Sequence, residues 1–171
     1  DGAVTQELTY ANDLLNGRET KWVISSSDSL GKEYEKFWKN GELNGPATNW
    51  VDGYRSKMIT YKGESETGKE IANGPWVNWY PNSDQIMEQG FHKSNVRDGL
   101  TTYYYENGNK KKEGNLSAKL DKKLAKPEGI WTYWNKDGQV DFTFDYGKDL
   151  DHVKFKDLAK IDESELLYKI D

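Results

Sequence analysis

The chain has no cysteine, only four prolines and no long apolar run. The absence of cysteine excludes disulfide bonds and cysteine-ligated zinc sites. No stretch approaches the roughly 18 consecutive apolar residues of a membrane-crossing helix. What the chain has instead is aromatic side chains, with seven tryptophans, eleven tyrosines and five phenylalanines. A hydrophobic core must therefore be built largely from rings, and the length of 171 residues suits a single domain.

The stretch GESETGKE, residues 63–70, is close to a phosphate-binding loop. Such a loop requires serine or threonine after its lysine, to hold magnesium, and it must open a helix. Here Glu70 follows Lys69, and Asn73 and Gly74 form a turn signal that leaves no room for a helix. We therefore interpret residues 63–70 as a polar loop and expect no ATPase activity from it.

The balance of charge disfavours nucleic acid as a partner. The formal net charge is −5, whereas phosphate contacts need a basic face. A basic protein partner is more compatible with this charge. The segment from Lys110 to Lys126 is a local exception, because lysines predominate in it. A run of this kind forms either a solvated loop or a patch for anionic ligands, and the first is the more common outcome.

The sequence contains an internal repeat marked by glycine. Five glycines recur 25 to 30 residues apart, and we call them the anchors: Gly17, Gly45, Gly74, Gly99 and Gly129. A β-branched residue stands three residues after each anchor, and an aromatic residue stands five residues after it: Trp22, Trp50, Trp79, Tyr104 and Trp134. Placement with a period of two is typical of a strand with one face buried. We therefore expect Trp79 and Trp134 to be core residues.

Each repeat unit predicts a β-hairpin. The first strand of a unit is followed by a turn signal such as Asp52-Gly53, Asn107-Gly108 or Asp137-Gly138, and a second strand then returns. About five such units within residues 8–147 predict an all-β fold, an elongated antiparallel sheet of consecutive hairpins. Residues 25–29, 64–71 and 117–126 are inserts in this scheme. Residues 148–171 are predicted to form a C-terminal cap with a short helix, which covers the last edge of a single domain spanning 1–171.

Three segments carry a resemblance to a known family: residues 74–80, 98–110 and 128–138. Their glycine and aromatic pattern resembles bacterial MORN-type repeats, in the variant found in YwqK-type antitoxins. The similarity extends over roughly residues 17–146, and it is weaker in the first two units, where Glu19 and Ala47 replace an aromatic residue. The resemblance implies a hairpin-repeat fold and an antitoxin or immunity protein that neutralises a toxin or secreted effector by direct binding.

No pattern in the sequence predicts a catalytic, cofactor-binding or metal-binding site. The two histidines, His92 and His152, do not have the spacing of metal ligands, and no serine lies in a nucleophile elbow. We therefore expect a protein that is not an enzyme and needs no cofactor.

The candidate functional residues are those two and four positions after the anchors, on the strand face opposite Trp79 and Trp134. Large aromatic residues on this second face either stabilise a thin sheet or are exposed for a partner, and exposed tryptophan and tyrosine are typical of interface hot spots. We predict partner binding by five residues: Trp76, Asn78, Tyr103, Trp131 and Tyr133.

Two expectations concern location and an alternative function. The chain begins at Asp1 without methionine, as either a trimmed chain or a mature exported protein would. An effector acting in the cell envelope would place its inhibitor in the periplasm, with a trimmed lipoprotein anchor as one route, so we expect the periplasm and keep the cytoplasm as the alternative. The alternative function is a membrane-surface or scaffold module of MORN type, which would bind acidic lipids or envelope proteins. Lys110 to Lys126 would carry the contact with lipid headgroups.

Overall fold

The computed structural model of the chain describes residues 5–24, 29–63, 69–117 and 125–147. These residues form strands and turns, and they contain no helix. The predicted cap at 148–171, His152 and most of the three inserts lie outside the described residues. The predicted all-β fold class is confirmed.

Fifteen strands make up the described chain. Their bounds are β1 Gln6–Glu7, β2 Tyr10–Ala11, β3 Leu14–Leu15, β4 Gly17–Ile24, β5 Leu30–Lys39, β6 Glu42–Leu43, β7 Gly45–Val51, β8 Tyr54–Tyr61, β9 Ala72–Trp79, β10 Ile86–Lys93, β11 Val96–Arg97, β12 Gly99–Tyr104, β13 Lys110–Ser117, β14 Lys126–Trp134 and β15 Val140–Asp145.

Thirteen of these strands form one antiparallel sheet. Its main path runs β1-β4-β5-β7-β8-β9-β10-β12-β13-β14-β15, so chain neighbours are sheet neighbours almost throughout. The short strands β6 and β11 pair with the ends of β5 and β10, while β2 and β3 form a separate two-stranded hairpin. The long, open sheet is built from the five predicted hairpins, β4–β5, β7–β8, β9–β10, β12–β13 and β14–β15.

The anchor glycines share an unusual backbone conformation. All five have positive φ, at 119° for Gly17, 123° for Gly45, 132° for Gly74, 92° for Gly99 and 68° for Gly129. Residues with a Cβ atom are strained in this region, whereas glycine enters it freely. The repeat therefore needs glycine where the chain turns from one hairpin into the next.

Each hairpin also contains one β-bulge at the same place. The register shifts immediately before the aromatic residue five positions after the anchor, so that the returning strand has one extra residue. The extra residues are Glu33, Ser56, Met87, Lys111 and Asp141. A bulge at a constant position strengthens the local twist of every unit equally. The five units are thus repeats in backbone geometry as well as in sequence.

The main hydrophobic cluster lies at the C-terminal end of the sheet. It consists of Leu116, Trp131, Tyr133, Phe144 and Tyr146, with Tyr103, Ala125 and Phe142 packed against it. These side chains come from β12 to β15 and the turn that follows. The core is therefore largely aromatic, as the composition predicts.

Candidate functional site

The sheet has two faces with different chemistry. Side chains two and four residues after each anchor lie on one face, which we call the indole face because it holds Trp76 and Trp131. Side chains one, three and five residues after each anchor lie on the other face. We call it the ladder face, after a repeated series of contacts between cations and aromatic rings described below. The five predicted partner-binding residues all belong to the indole face.

Trp76 and Trp131 are the most deeply buried rings of the indole face. Each is 2% exposed, and Tyr133 on the same face is also buried. Of the two alternatives for this face, packing that stabilises the sheet and exposure for a partner, the burial of these three rings agrees with the first, and partner binding by them stays a prediction. By contrast, Trp134 on the ladder face is half-buried, although Trp79 there is buried, as predicted.

Two glycines explain how rings become buried on one side of a sheet. Trp76 pairs directly with Gly90, and a Cβ atom on Gly90 would lie 3.1 Å from Cζ2 of the indole. Gly114 lies beneath Trp131, where a Cβ atom would overlap the indole ring. Because glycine has no side chain, each ring can lie flat against the neighbouring strand. The indole Nε1 of Trp131 then donates a hydrogen bond of 3.1 Å to the carbonyl of Asn115.

A polar cluster holds Trp76 and Asn78 in place. The Arg97 guanidinium lies 3.9 Å from the centre of the Trp76 ring and donates two hydrogen bonds to Glu88, of 3.0 and 3.1 Å. The Asn78 amide donates to the same carboxylate at 2.7 Å. The Glu88 carboxylate thus accepts three hydrogen bonds, and the Asn78 side chain is one of the donors.

His92 lies beside the same cluster. Its ring centre is 5.7 Å from that of Trp76, and burial, with Arg97 and Lys57 nearby, lowers its pKa. His92 Nδ1 and Trp76 Nε1 are both buried without a hydrogen-bond partner among the described residues. The low pKa keeps the imidazole neutral next to two cations.

Tyr103 and Tyr133 belong to the aromatic cluster at the C-terminal end. Tyr133 stacks on Phe142 with ring centres 4.4 Å apart, and its hydroxyl lies 3.0 Å from that of Tyr146. Burial, followed by this hydrogen bond, raises the pKa of Tyr133. Tyr103 is half-buried, with the Lys112 ammonium 4.5 Å from its ring centre. Both phenols support packing, and only Tyr103 retains a partly accessible ring.

The first hairpin has a buried carboxylate at the position where the third and fifth hairpins have an indole. Glu19, two residues after its anchor, is 6% exposed and accepts hydrogen bonds from three neutral donors: Gln6 Nε2 at 2.9 Å, the Tyr34 hydroxyl at 2.8 Å and Trp38 Nε1 at 2.7 Å. Burial and the bond to Glu19 raise the pKa of Tyr34 to about 12. A phenol with a raised pKa remains protonated, so the pair is suited to structure and not to nucleophilic attack.

The ladder face carries a repeated contact between cations and rings. Lys32 lies 5.2 Å from the ring centre of Trp50, Arg55 lies 4.9 Å from Trp79 and Lys110 lies 5.4 Å from Trp134. In the strand register, each cation stands opposite the aromatic residue of its own hairpin. Its charged group lies over the aromatic ring of the neighbouring hairpin that follows. Such contacts stabilise by about 0.5–1 kcal/mol at exposed sites. The ladder therefore links the first hairpin to the second, the second to the third and the fourth to the fifth, while in the third hairpin Ile86 stands where the others have a cation.

The lysines that the sequence assigns to lipid contact are partly engaged in packing. Lys110 also pairs with Glu113 at 2.7 Å, Lys111 lies 6.0 Å from the ring centre of Tyr105, and Lys112 lies against Tyr103. Burial opposes ionisation of Glu113, but hydrogen bonds from Lys110 and Thr102 outweigh it and lower its pKa. These three cations are thus held against the sheet.

An exposed apolar row crosses the ladder face, and the sequence reasoning missed it. Its contiguous part is Pro75, Phe91 and Leu100, which are neighbours across β9, β10 and β12. Pro46 and Ile130 are also exposed one residue after their anchors, but Thr60 and Asn115 separate them from this part. Phe91 is 53% exposed and Leu100 is 51% exposed. Phe91 pairs with Pro75, and the register of β10 with β12 brings it opposite Leu100. The recurrence of apolar residues immediately after the anchors was the available signal.

The comparisons with known proteins give no match. No protein-family model, curated protein or solved structure matches the chain. The described residues contain no helix with the length and apolar character to cross a membrane. They also contain no group of three or more histidine and acidic side chains arranged to hold a metal ion. Any functional assignment therefore depends on the surface of the sheet and on the sequence resemblance.

Proposed function

We propose that this protein is a non-catalytic binding protein that neutralises a toxin or secreted effector by direct contact, in the cell envelope. The observation that carries the proposal is the apolar row on the ladder face. Apolar side chains that are half exposed or more and adjacent across strands are typical of protein interaction sites, because water leaves them when a partner covers them. The resemblance to antitoxins indicates the class of partner.

The hairpin tips add a second feature that suits a basic partner. One exposed carboxylate lies at each of the four described tips, Asp52, Asp84, Glu106 and Asp137, and of these Asp84 pairs with Arg55 at 3.1 Å. They follow one edge of the sheet at the repeat spacing, and they agree in sign with the net charge of −5. A row of like charges speeds encounter with an oppositely charged protein.

The test is co-expression with each candidate effector that the genes neighbouring this one encode. We expect the wild type to restore growth and to form a complex with the purified effector. The double variant Phe91→Ser with Leu100→Ser should weaken that complex by at least about 2 kcal/mol, the scale of an interface hot spot. Isothermal titration calorimetry measures the change, and circular dichroism checks folding.

The matched control is Val140→Ser. Val140 is exposed and lies on β15, outside the apolar row. This variant should bind as the wild type does. Equal binding by the double variant would exclude the apolar row as the surface, and a wild type that neither binds nor protects against the neighbouring effector would refute the proposed function.

A further inference from the structure

The second hairpin has the smallest side chain of the five hairpins at the position two residues after the anchor, where the first has Glu19 and the fourth has Thr101. Ala47 stands two residues after its anchor, where Trp76 and Trp131 stand in the third and fifth hairpins. A hollow of about 210 Å³ lies on the indole face at this place. An enclosed cavity of about 150 Å³ holds a benzene ring, so this open hollow has room for an aromatic side chain.

The lining of the hollow mixes apolar side chains with charged and polar ones, and its central part belongs to three neighbouring strands. Ala47 of β7 pairs with Ile59 of β8, and Lys36 of β5 lies on the other side of Ala47. Leu43 and Tyr61 complete the apolar lining. Leu43 is buried, so the floor is formed by a fixed part of the structure.

The rim of the hollow carries a net positive charge. Lys36 and Lys57 line it with Asn49, and Glu70 is the single carboxylate among the lining residues. Neither lysine has a carboxylate partner among the described residues, whereas Lys21, Arg97 and Lys110 on the same sheet each have one. Glu70 lies near Tyr61, where burial and this carboxylate together raise the pKa of the phenol.

The third and fifth hairpins show which kind of group packs at this position of the sheet. Trp76 lies beneath the Arg97 guanidinium at 3.9 Å, and Trp131 lies 5.9 Å from the Lys112 ammonium. In both, a flat ring packs on the sheet beside a cation. At Ala47 the cation is Lys36, whose ammonium lies 4.4 Å from the ring centre of Tyr34, and Ile59 and Leu43 line the hollow, but no ring stands at position 47 itself.

We infer that the hollow at Ala47 binds an aromatic side chain of a partner polypeptide, flanked by a carboxylate that pairs with Lys36 and Lys57. The ring takes the place that an indole of the protein occupies in the third and fifth hairpins. The acidic flank matches the local excess of lysine, although the protein as a whole is acidic. This site is on the opposite face from the apolar row, so it does not depend on the proposed function.

The probe is the peptide acetyl-glutamyl-tryptophanyl-glutamyl amide, added to the full-length protein. We expect NMR amide shifts centred on Ala47, Ile59 and Lys57. Reversal of both charges, Lys36→Glu with Lys57→Glu, should lower the affinity at least about tenfold, since the carboxylates of the peptide then meet like charges in place of lysines. Ala47→Leu should abolish binding, because the larger side chain fills the hollow. If Ala47→Leu does not fold, the double variant of Lys36 and Lys57 still tests the site.

Two control peptides test which chemical groups of the ligand the hollow recognises, and a free indole tests whether the ligand is a polypeptide. A peptide with alanine in place of tryptophan, and one with lysine in place of glutamate, should each bind at least about tenfold more weakly. Shifts located elsewhere, or affinities unaffected by the variants, would overturn the site. Tighter binding of free indole-3-acetate than of the peptide would overturn its assignment to a polypeptide.

Discussion

Gly114 is the residue on which the burial of Trp131 depends, because the indole rests where a side chain would be. Gly114→Ala forces the ring away from β13 and disturbs its contacts with Tyr103 and Tyr146. We expect a loss of about 1–3 kcal/mol in the free energy of unfolding, the usual cost of overpacking. Urea denaturation measures this loss.

The control for this prediction is Gly31→Ala. Gly31 lies within β5, and a Cβ atom there would meet nothing within 4 Å. Replacing glycine within a strand should leave the protein equally stable or more stable by up to about 1 kcal/mol. Equal midpoints for the two variants would show that the indole does not need the glycine.

Tyr34 gives the protein a predicted sensitivity to alkali. Its pKa is raised to about 12, mainly by burial and then by the bond to Glu19, whereas an unfolded tyrosine ionises near 10. Above pH 10 the unfolded chain releases this proton first, so the free energy of unfolding falls as pH rises from 10 to 12. Below pH 10 the contribution of Tyr34 is constant.

Tyr34→Phe removes this contribution. The variant should be less stable than the wild type at pH 8, because Glu19 loses a donor, but it should lose less stability between pH 10 and pH 12. Chemical denaturation at the three pH values tests the slope. Parallel curves for the two proteins would contradict the assigned role of Tyr34.

At the scale of the strand, β14 shows how far the sequence could predict the structure. The repeat of glycine, β-branched and aromatic residues was sufficient to predict five hairpins, since strand alternation and turn chemistry are local. It placed Trp134 in the core and Trp131 on a surface for partners, whereas Trp131 is the more buried of the two. Burial of Trp131 depends on Gly114 of the neighbouring strand, so it could not be predicted without the register.

The bulges and the exposed row were also beyond local reasoning. Nothing in Ser56 or Lys111 identifies it as an extra residue, because a bulge is defined by the pairing of two strands. Phe91 and Leu100 stood in the sequence as ordinary strand residues. Their exposure follows from what covers each face, which alternation alone does not indicate.

At the scale of the whole molecule, the two halves of the sheet are unequally packed. The aromatic cluster lies in β12 to β15, whereas in the stretch from β4 to β8 only Leu43 of β6 is a buried apolar side chain among the described residues. Stability in a repeat array is roughly a sum over units and their interfaces, so the halves need not open together. We expect the first hairpin to open more often than the last two.

Hydrogen exchange tests this difference. Amides of β4 and β5 should exchange faster than those of β13 and β14. Leu116→Ala should speed exchange in β13 and β14 while β4 and β5 change little, because Leu116 belongs to the C-terminal cluster. Uniform protection along the chain, or a uniform response to this variant, would indicate one cooperative unit.

The bulge in every hairpin limits the shape of any partner. Neighbouring strands of a sheet rotate by roughly 20 to 25° relative to each other, and bulges increase this rotation. At this average rotation, the nine steps between the ten main strands from β4 to β15 add up to roughly half a revolution. With this rotation, the indole face of the first hairpin and the indole face of the last hairpin point in nearly opposite directions. A rigid, flat partner can therefore cover only part of one face, and a footprint that extends from end to end belongs to a partner that winds around the ribbon.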